Sequence, residues 1–186
     1  MDFVDFLLLQ PNIKIGLCIF KGNKKLKHIT IPSHIVSIPR DSFDECSSLE
    51  KVIIPSSVTH IHSFAFQECC SLKEIELPSS INEMGSCVFR GCSKLIKITI
   101  PPLIKSIDFG TFSDCSSLKE IIIPCTLTEI ISEAFKDCTS LEKISDLQSV
   151  TLIEAKSFYN CCSLQQISIP SSKRIESYTF TKCKAL

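Results

Sequence analysis

A repeat solenoid, mainly parallel β with short helical turns, is the fold class this sequence predicts. Three observations point to it. Residues of one type recur every 23 positions, each unit carries a β-branched run closed by proline, and a unit of that size cannot bury its own apolar face.

The period is explicit. Leu26, Leu49, Leu72, Leu95, Leu118, Leu141 and Leu164 stand 23 residues apart, and Leu186 follows after 22. Phe43, Phe66, Phe89, Phe112, Phe135, Phe158 and Phe180 keep the same beat, as do Cys46, Cys69, Cys92, Cys115, Cys138, Cys161 and Cys183. Pro32, Pro55, Pro78, Pro101, Pro124 and Pro170 form a fourth column, with Leu147 in place of one proline.

Each element of the unit follows from one copy, Leu118 to Ser140. Ile121 to Ile123 are β-branched and stop at Pro124, which reads as a short strand whose exit is a residue without an N–H for the ladder. Leu127 and Ile130 mark a second extended segment. The remainder, S-E-A-F-K-D-C, has apolar residues three and four apart and predicts a single helical turn. Stacked at the roughly 5 Å spacing of adjacent strands, the Leu, Ile, Phe and Cys positions become continuous inner columns.

Written out, the unit S-L-x-x-I-x-I-P-x-S-V-x-x-I-x-x-x-x-F-x-x-C closely resembles the BspA-type class of leucine-rich repeats over residues 26–186. That resemblance implies a leucine-rich-repeat solenoid of a surface or adhesin-like protein, which binds host or matrix proteins through its coils. It also implies a cell-surface location. The chain departs from such proteins in showing neither a signal peptide nor a membrane anchor, since Asp2 and Asp5 stand where a signal would carry cations and Phe6 to Leu9 is its longest pure apolar run. A cytoplasmic location therefore stays open.

Two regions are expected. Phe3, Phe6, Leu8, Ile15 and Phe20 fall in the slots of Leu26, Ile29, Ile31, Ile38 and Phe43 when shifted by 23, so residues 1–25 read as a degenerate capping coil before about seven coils over 26–186. The last coil has no matching cap. The expectation is a fragment of a longer solenoid, or an open end that pairs with a partner or with a second copy.

Composition removes several function classes. Lys plus Arg equals Asp plus Glu at 20 each, so the chain lacks the positive field that nucleic acid or anionic lipid selects. Nothing reaches the roughly 20 apolar residues of a membrane span. Twelve cysteines would suggest disulfides in a secreted protein. Seven of them, however, lie in one column whose Cβ vectors should run parallel, a poor geometry for pairing. Free buried thiols are expected there, with Cys70 and Cys162, in a slot otherwise filled by serine or threonine, as the more reactive ones.

No catalytic, cofactor or metal site is read. G-x-S-x-G, C-x-x-C and Gly-rich phosphate loops are all absent, and His60, His62, Cys69 and Cys70 are the sole metal-like grouping, without counterparts in other repeats. After the ladder leucine, the columns Lys27, Glu50, Lys73, Ile96, Lys119, Glu142, Gln165 and His28, Lys51, Glu74, Lys97, Glu120, Lys143, Gln166 alternate in sign for most of their length. They read as salt-bridge ladders that set register. The candidate protein-binding surface is the outward strand column, Thr30, Ile53, Glu76, Thr99, Ile122, Ser145 and Ser168, which in leucine-rich repeats lines the concave sheet. A protein-interaction module that is not an enzyme follows, with a structural spacer or intracellular scaffold as the alternative.

Overall fold

A computed structural model describes residues 16–145, 147–169 and 174–186. The slots assigned to Phe3, Phe6, Leu8, Ile15 and Pro170 lie outside these residues. Among the described residues twelve short strands follow one another: β1 (His28–Thr30), β2 (Ser37–Ile38), β3 (Lys51–Ile53), β4 (His60–Ile61), β5 (Glu83–Met84) and β6 (Lys97–Thr99), then β7 (Ser106–Ile107), β8 (Glu120–Ile122), β9 (Glu129–Ile130), β10 (Lys143–Ile144), β11 (Leu152–Ile153) and β12 (Arg174–Ile175). All pairings are parallel and link residues one repeat apart, as in Ile98↔Ile121 and Ile38↔Ile61.

Each coil thus has three sides. The front strands (β1, β3, β6, β8, β10) alternate outward and inward, so that Val52 or Ile98 is buried between exposed neighbours. The column proline then turns the chain. Its carbonyl accepts the N–H three residues on, at 3.0–3.2 Å for Ile35, Val58, Ile81, Ile104 and Leu127. Leu147 does the same for Val150, so the corner needs the backbone geometry and tolerates a residue other than proline. The second strands (β2, β4, β5, β7, β9, β11, β12) form the next side.

The third side corrects the sequence reading. No helix occurs among the described residues. In the coil over 118–140, the N–H groups of Glu133, Phe135 and Asp137 donate to Ala155, Ser157 and Tyr159 of the following coil, while those of Ala134, Lys136 and Cys138 donate three residues back. An α-helix would send them four residues back. Instead, Glu133 and Asp137 take left-handed φ values of 59° and 61°. The same pair of positions, four residues apart, is left-handed in every coil from Cys18 and Gly22 to Tyr178 and Lys182. Apolar spacing of three and four is shared by a helix and by this ridge of β-turns, so hydrophobic pattern alone could not separate them. What decides is tertiary: every second N–H finds its acceptor in the neighbouring coil, which offsets the roughly 1–2 kcal/mol that a left-handed residue costs.

Inside, the columns fill the core. Phe20, Phe43, Phe66, Phe89, Phe112, Phe135, Phe158 and Phe180 form one stack, with centroids 5.1–5.6 Å apart and ring planes within 14°. Beside it runs the cysteine column. Each Sγ–H donates to the carbonyl of the phenylalanine one coil earlier at 3.0–3.2 Å, as from Cys115 to Phe89 and from Cys138 to Phe112. From Phe43 onward that carbonyl also accepts the cysteine N–H of its own coil, and the Phe20 carbonyl accepts the Asn23 N–H. The thiol is therefore both a small apolar filler and a weak donor.

All twelve cysteines are free. Burial pushes the Cys46 thiol up to about 11 and holds Cys69, Cys92, Cys115 and Cys138 well above the ordinary thiol value. No buried side-chain nitrogen or oxygen lacks a partner among the described residues.

The ridge ladder is continuous from Cys18 to Thr181, but the two sheets are not. The front strands pair as β1–β3 and as β6–β8–β10, and the second strands as β2–β4–β5 and as β7–β9–β11–β12. Both interruptions fall on the coil over 72–94.

Candidate interaction surface

The outward front column is exposed as the alternation predicts, but its members do not form one unbroken strip. Thr30 pairs with Ile53, and Thr99 with Ile122, each in direct register. Glu76 stands alone on a segment that does not pair with β3. Ser145 turns into the ladder: its hydroxyl accepts the Ile123 N–H at 2.7 Å, a bond that elsewhere goes to a main-chain carbonyl. It is only half-exposed as a result. Ser168 is exposed beyond a further opening between Lys143 and Gln166.

Ile53 and Ile122 are the column's apolar contacts, 49% and 38% exposed. Ile96, 48% exposed in the position just after Leu95, is a third exposed isoleucine of the front side. The sequence reading placed it among the charge columns. Its signal was present as the one apolar residue in a charged column.

The charge columns stack in the predicted register, with Lys97 and Lys143 both opposite Glu120. Among the described residues of these columns, however, one ion pair closes, from Lys97 Nζ to Glu120 Oε2 at 2.7 Å. Its hydrogen bond, then its charge, holds the Glu120 carboxyl below the usual range. Both groups are about half-exposed, so the ladders bias register more than they stabilise the fold. In one place the register itself is unfavourable, since β1 sets His28 against Lys51 rather than an acid.

The aromatic and guanidinium groups that dominate many interfaces collect on the turn ridge. Arg40 lies 4.7 Å over the Phe64 ring, Lys182 lies 5.0 Å over Tyr159, and Phe109 and Tyr178 are exposed. Cys70, read from sequence as a reactive thiol, is instead held above its ordinary value by burial and by Glu68, whose carboxylate lies 3.6 Å away. Cys18 and Cys125 are the exposed thiols.

One contact escaped the sequence reading. Thr59 Oγ1 lies 2.7 Å from His60 Nδ1, and His60 Nε2 lies 3.4 Å from Glu83 Oε2. The order mimics a nucleophile, base and acid. The hydroxyl also donates to the Val36 carbonyl at 3.2 Å, and Thr128 and Thr151 make the same contact, to Lys105 and to Thr128, with no histidine beside them. Among the described residues no group of three or more His, Cys, Asp or Glu is arranged to hold a metal ion, and no helix is long and apolar enough to cross a membrane.

Comparison with known proteins places these features. A crystal structure of a T. pallidum leucine-rich repeat protein is 27% identical, with a TM-score of 0.77, over 80% of this chain and 70% of that one. A leucine-rich repeat protein from Bacteroides ovatus is also 27% identical, with a TM-score of 0.65, over 92% of this chain and 56% of that one. A third, from Eubacterium ventriosum, is 25% identical with a TM-score of 0.71, and the chain spans 42% of its length. No curated protein sequence matches. The model of the BspA type leucine-rich repeat region matches residues 13–142 and 105–186, with six copies. The 23-residue columns, the parallel three-sided coils and these matches agree, and the chain belongs to the BspA type leucine-rich repeat family.

Proposed function

We propose that the chain is a protein-interaction module that presents its front strand column to a protein partner. One observation carries this reading: Ile53, Ile96 and Ile122 are exposed on the front side, with Ile53 and Ile122 in the outward column itself. Isoleucines so placed are only partly covered by the fold, and a partner that covers them removes apolar surface from water. The surrounding threonines, serines and lysines make this a modest face, suited to an array that gains strength by using several coils at once.

The test is capture of partners by the wild-type chain and by a variant carrying Ile53→Lys, Thr99→Lys and Ile122→Lys. Loss of capture with an unchanged melting temperature supports the front column. Identical capture by both chains overturns it and favours a spacer array. A location at a cell surface belongs to the same reading by family resemblance. It is tested by protease treatment of intact cells, where protection of the chain counts against it.

A further inference from the structure

The coil over 72–94 is tilted about the ridge. On the ridge itself it is bonded on both sides, through Phe66 N–H to the Val88 carbonyl and Phe89 N–H to the Thr111 carbonyl, both at 2.9 Å. On the second sheet it leans toward the preceding coil. Gly85 N–H donates to Ile61 at 2.9 Å, and a Cβ at Gly85 would stand 2.6 Å from the Ser63 nitrogen, so only glycine permits this approach. On the front sheet it leans the other way, with Glu74 bridged to Lys97. Each lean opens a cleft behind it: about 330 Å³ between β3 and Glu74–Glu76, and about 630 Å³ between β5 and β7.

The larger cleft carries the unmet chemistry. At the other paired coils of the second sheet, two or three N–H groups donate backward among the described residues. Thr128 and Glu129 donate to Lys105, and Ile131 to Ile107, at 2.8, 3.2 and 2.9 Å. Asn82 and Glu83 donate to Thr59, and Gly85 to Ile61. The equivalent groups of Lys105, Ser106 and Asp108 donate to no carbonyl of the preceding coil, which leaves the Asn82 and Met84 carbonyls facing them without these donors. Main-chain groups are obligatory hydrogen-bonding groups, and a row of them at strand spacing is complementary to an extended polypeptide. The volume lies within the range of ligand-sized sites. Leu103, 51% exposed, supplies an apolar contact at its rim.

We propose that the cleft between β5 and β7 is a docking site for an extended peptide segment of another protein, held by main-chain pairing to Lys105, Ser106 and Asp108. It lies on the second sheet, on a different side of the coil from the front column, and stands or falls separately from it.

The probe is an acetylated and amidated pentapeptide, Leu-Thr-Glu-Ile-Ile. This is the sequence of residues 127–131, whose carbonyls at Thr128 and Ile130 already accept the equivalent N–H groups of the next coil. Titrated against the full chain and followed by amide NMR, it should shift the Lys105, Ser106 and Asp108 signals. Ser106→Pro removes one of the three donors and should abolish the shifts while leaving the melting temperature close to wild type, whereas Glu129→Pro should lower it sharply. The proposal is overturned by absent shifts at millimolar peptide or by unchanged binding to Ser106→Pro. It is equally overturned if Ser106→Pro destabilises as much as Glu129→Pro, because that N–H is then already paired.

Discussion

Phe112→Ala removes one ring from the middle of the phenylalanine stack, and the structure sets the size of the effect. Phe112 is fully buried, with Phe89 at 5.6 Å on one side and Phe135 at 5.5 Å on the other. Truncating a buried phenylalanine to alanine costs about 3–5 kcal/mol, to which two aromatic contacts of about 0.5–1.5 kcal/mol each contribute. The site cannot collapse easily, because the ridge bonds of Phe112 to Ala134 and of Phe89 to Thr111, 2.8 and 2.9 Å long, hold the coils at their spacing. The upper half of that range is therefore expected. Phe180→Ala is the internal control: Phe180 is half-buried and stacks on Phe158 alone among the described residues, so about 1–2 kcal/mol is expected. Urea unfolding followed by circular dichroism reads both. A solenoid transmits stability through neighbouring coils, so Phe112→Ala should also lower the m-value as the two halves begin to unfold separately. Equal midpoints for the two variants, or a Phe112→Ala cost below about 1.5 kcal/mol, would refute the stack as the spine of the fold.

Raising the pH should weaken the protein through its thiol column. The folded values of Cys46, Cys69, Cys92, Cys115 and Cys138 lie above the unfolded one, so their stabilisation is full below the unfolded value and is lost as pH rises toward the folded values, the Cys46 value being about 11. The urea midpoint should hold from pH 7 to 8 and fall by pH 10, by about 1.4 kcal/mol per thiol per pH unit at most; a flat profile sinks the argument. A disulfide-forming thiol reagent at pH 8 should label Cys18 and Cys125 quickly and the buried column cysteines, Cys46 through Cys161, only after denaturation, as mass spectrometry of tryptic peptides would show. Glu45, at φ 58° and exposed, should tolerate Glu45→Gly with a gain of a few tenths to about 1 kcal/mol, while Glu45→Val should lose stability. Glu120→Lys would put a third cation between Lys97 and Lys143, and should lower the melting temperature more at low salt than at high salt.

The columns are legible in the sequence because a solenoid converts a linear period into spatial adjacency. Once Leu118 and Leu141 are recognised as equivalent, their contact, their burial and the register of Glu120 against Lys143 follow. The free cysteines were legible on the same ground. The bond from each thiol to the earlier phenylalanine carbonyl was not, since nothing local relates Cys115 to Phe89. The candidate column was read correctly as outward at Ile53, Thr99 and Ile122, and less well at Ser145, where a hydroxyl competes with the main chain for a ladder position.

The period, the parallel register, the buried columns and the family are determined by the sequence alone, because each depends only on which residues recur and on their apolar or polar character. The ridge conformation, the single closed ion pair and the tilt of the coil over 72–94 are decided by tertiary structure. A left-handed Glu133 is tolerable only where a neighbouring coil accepts its N–H, and Gly85 matters only because Ser63 stands opposite it. Repetition writes the average coil into the sequence. The departures from that average, where the unmet backbone chemistry lies, arise from how each coil settles against the two beside it.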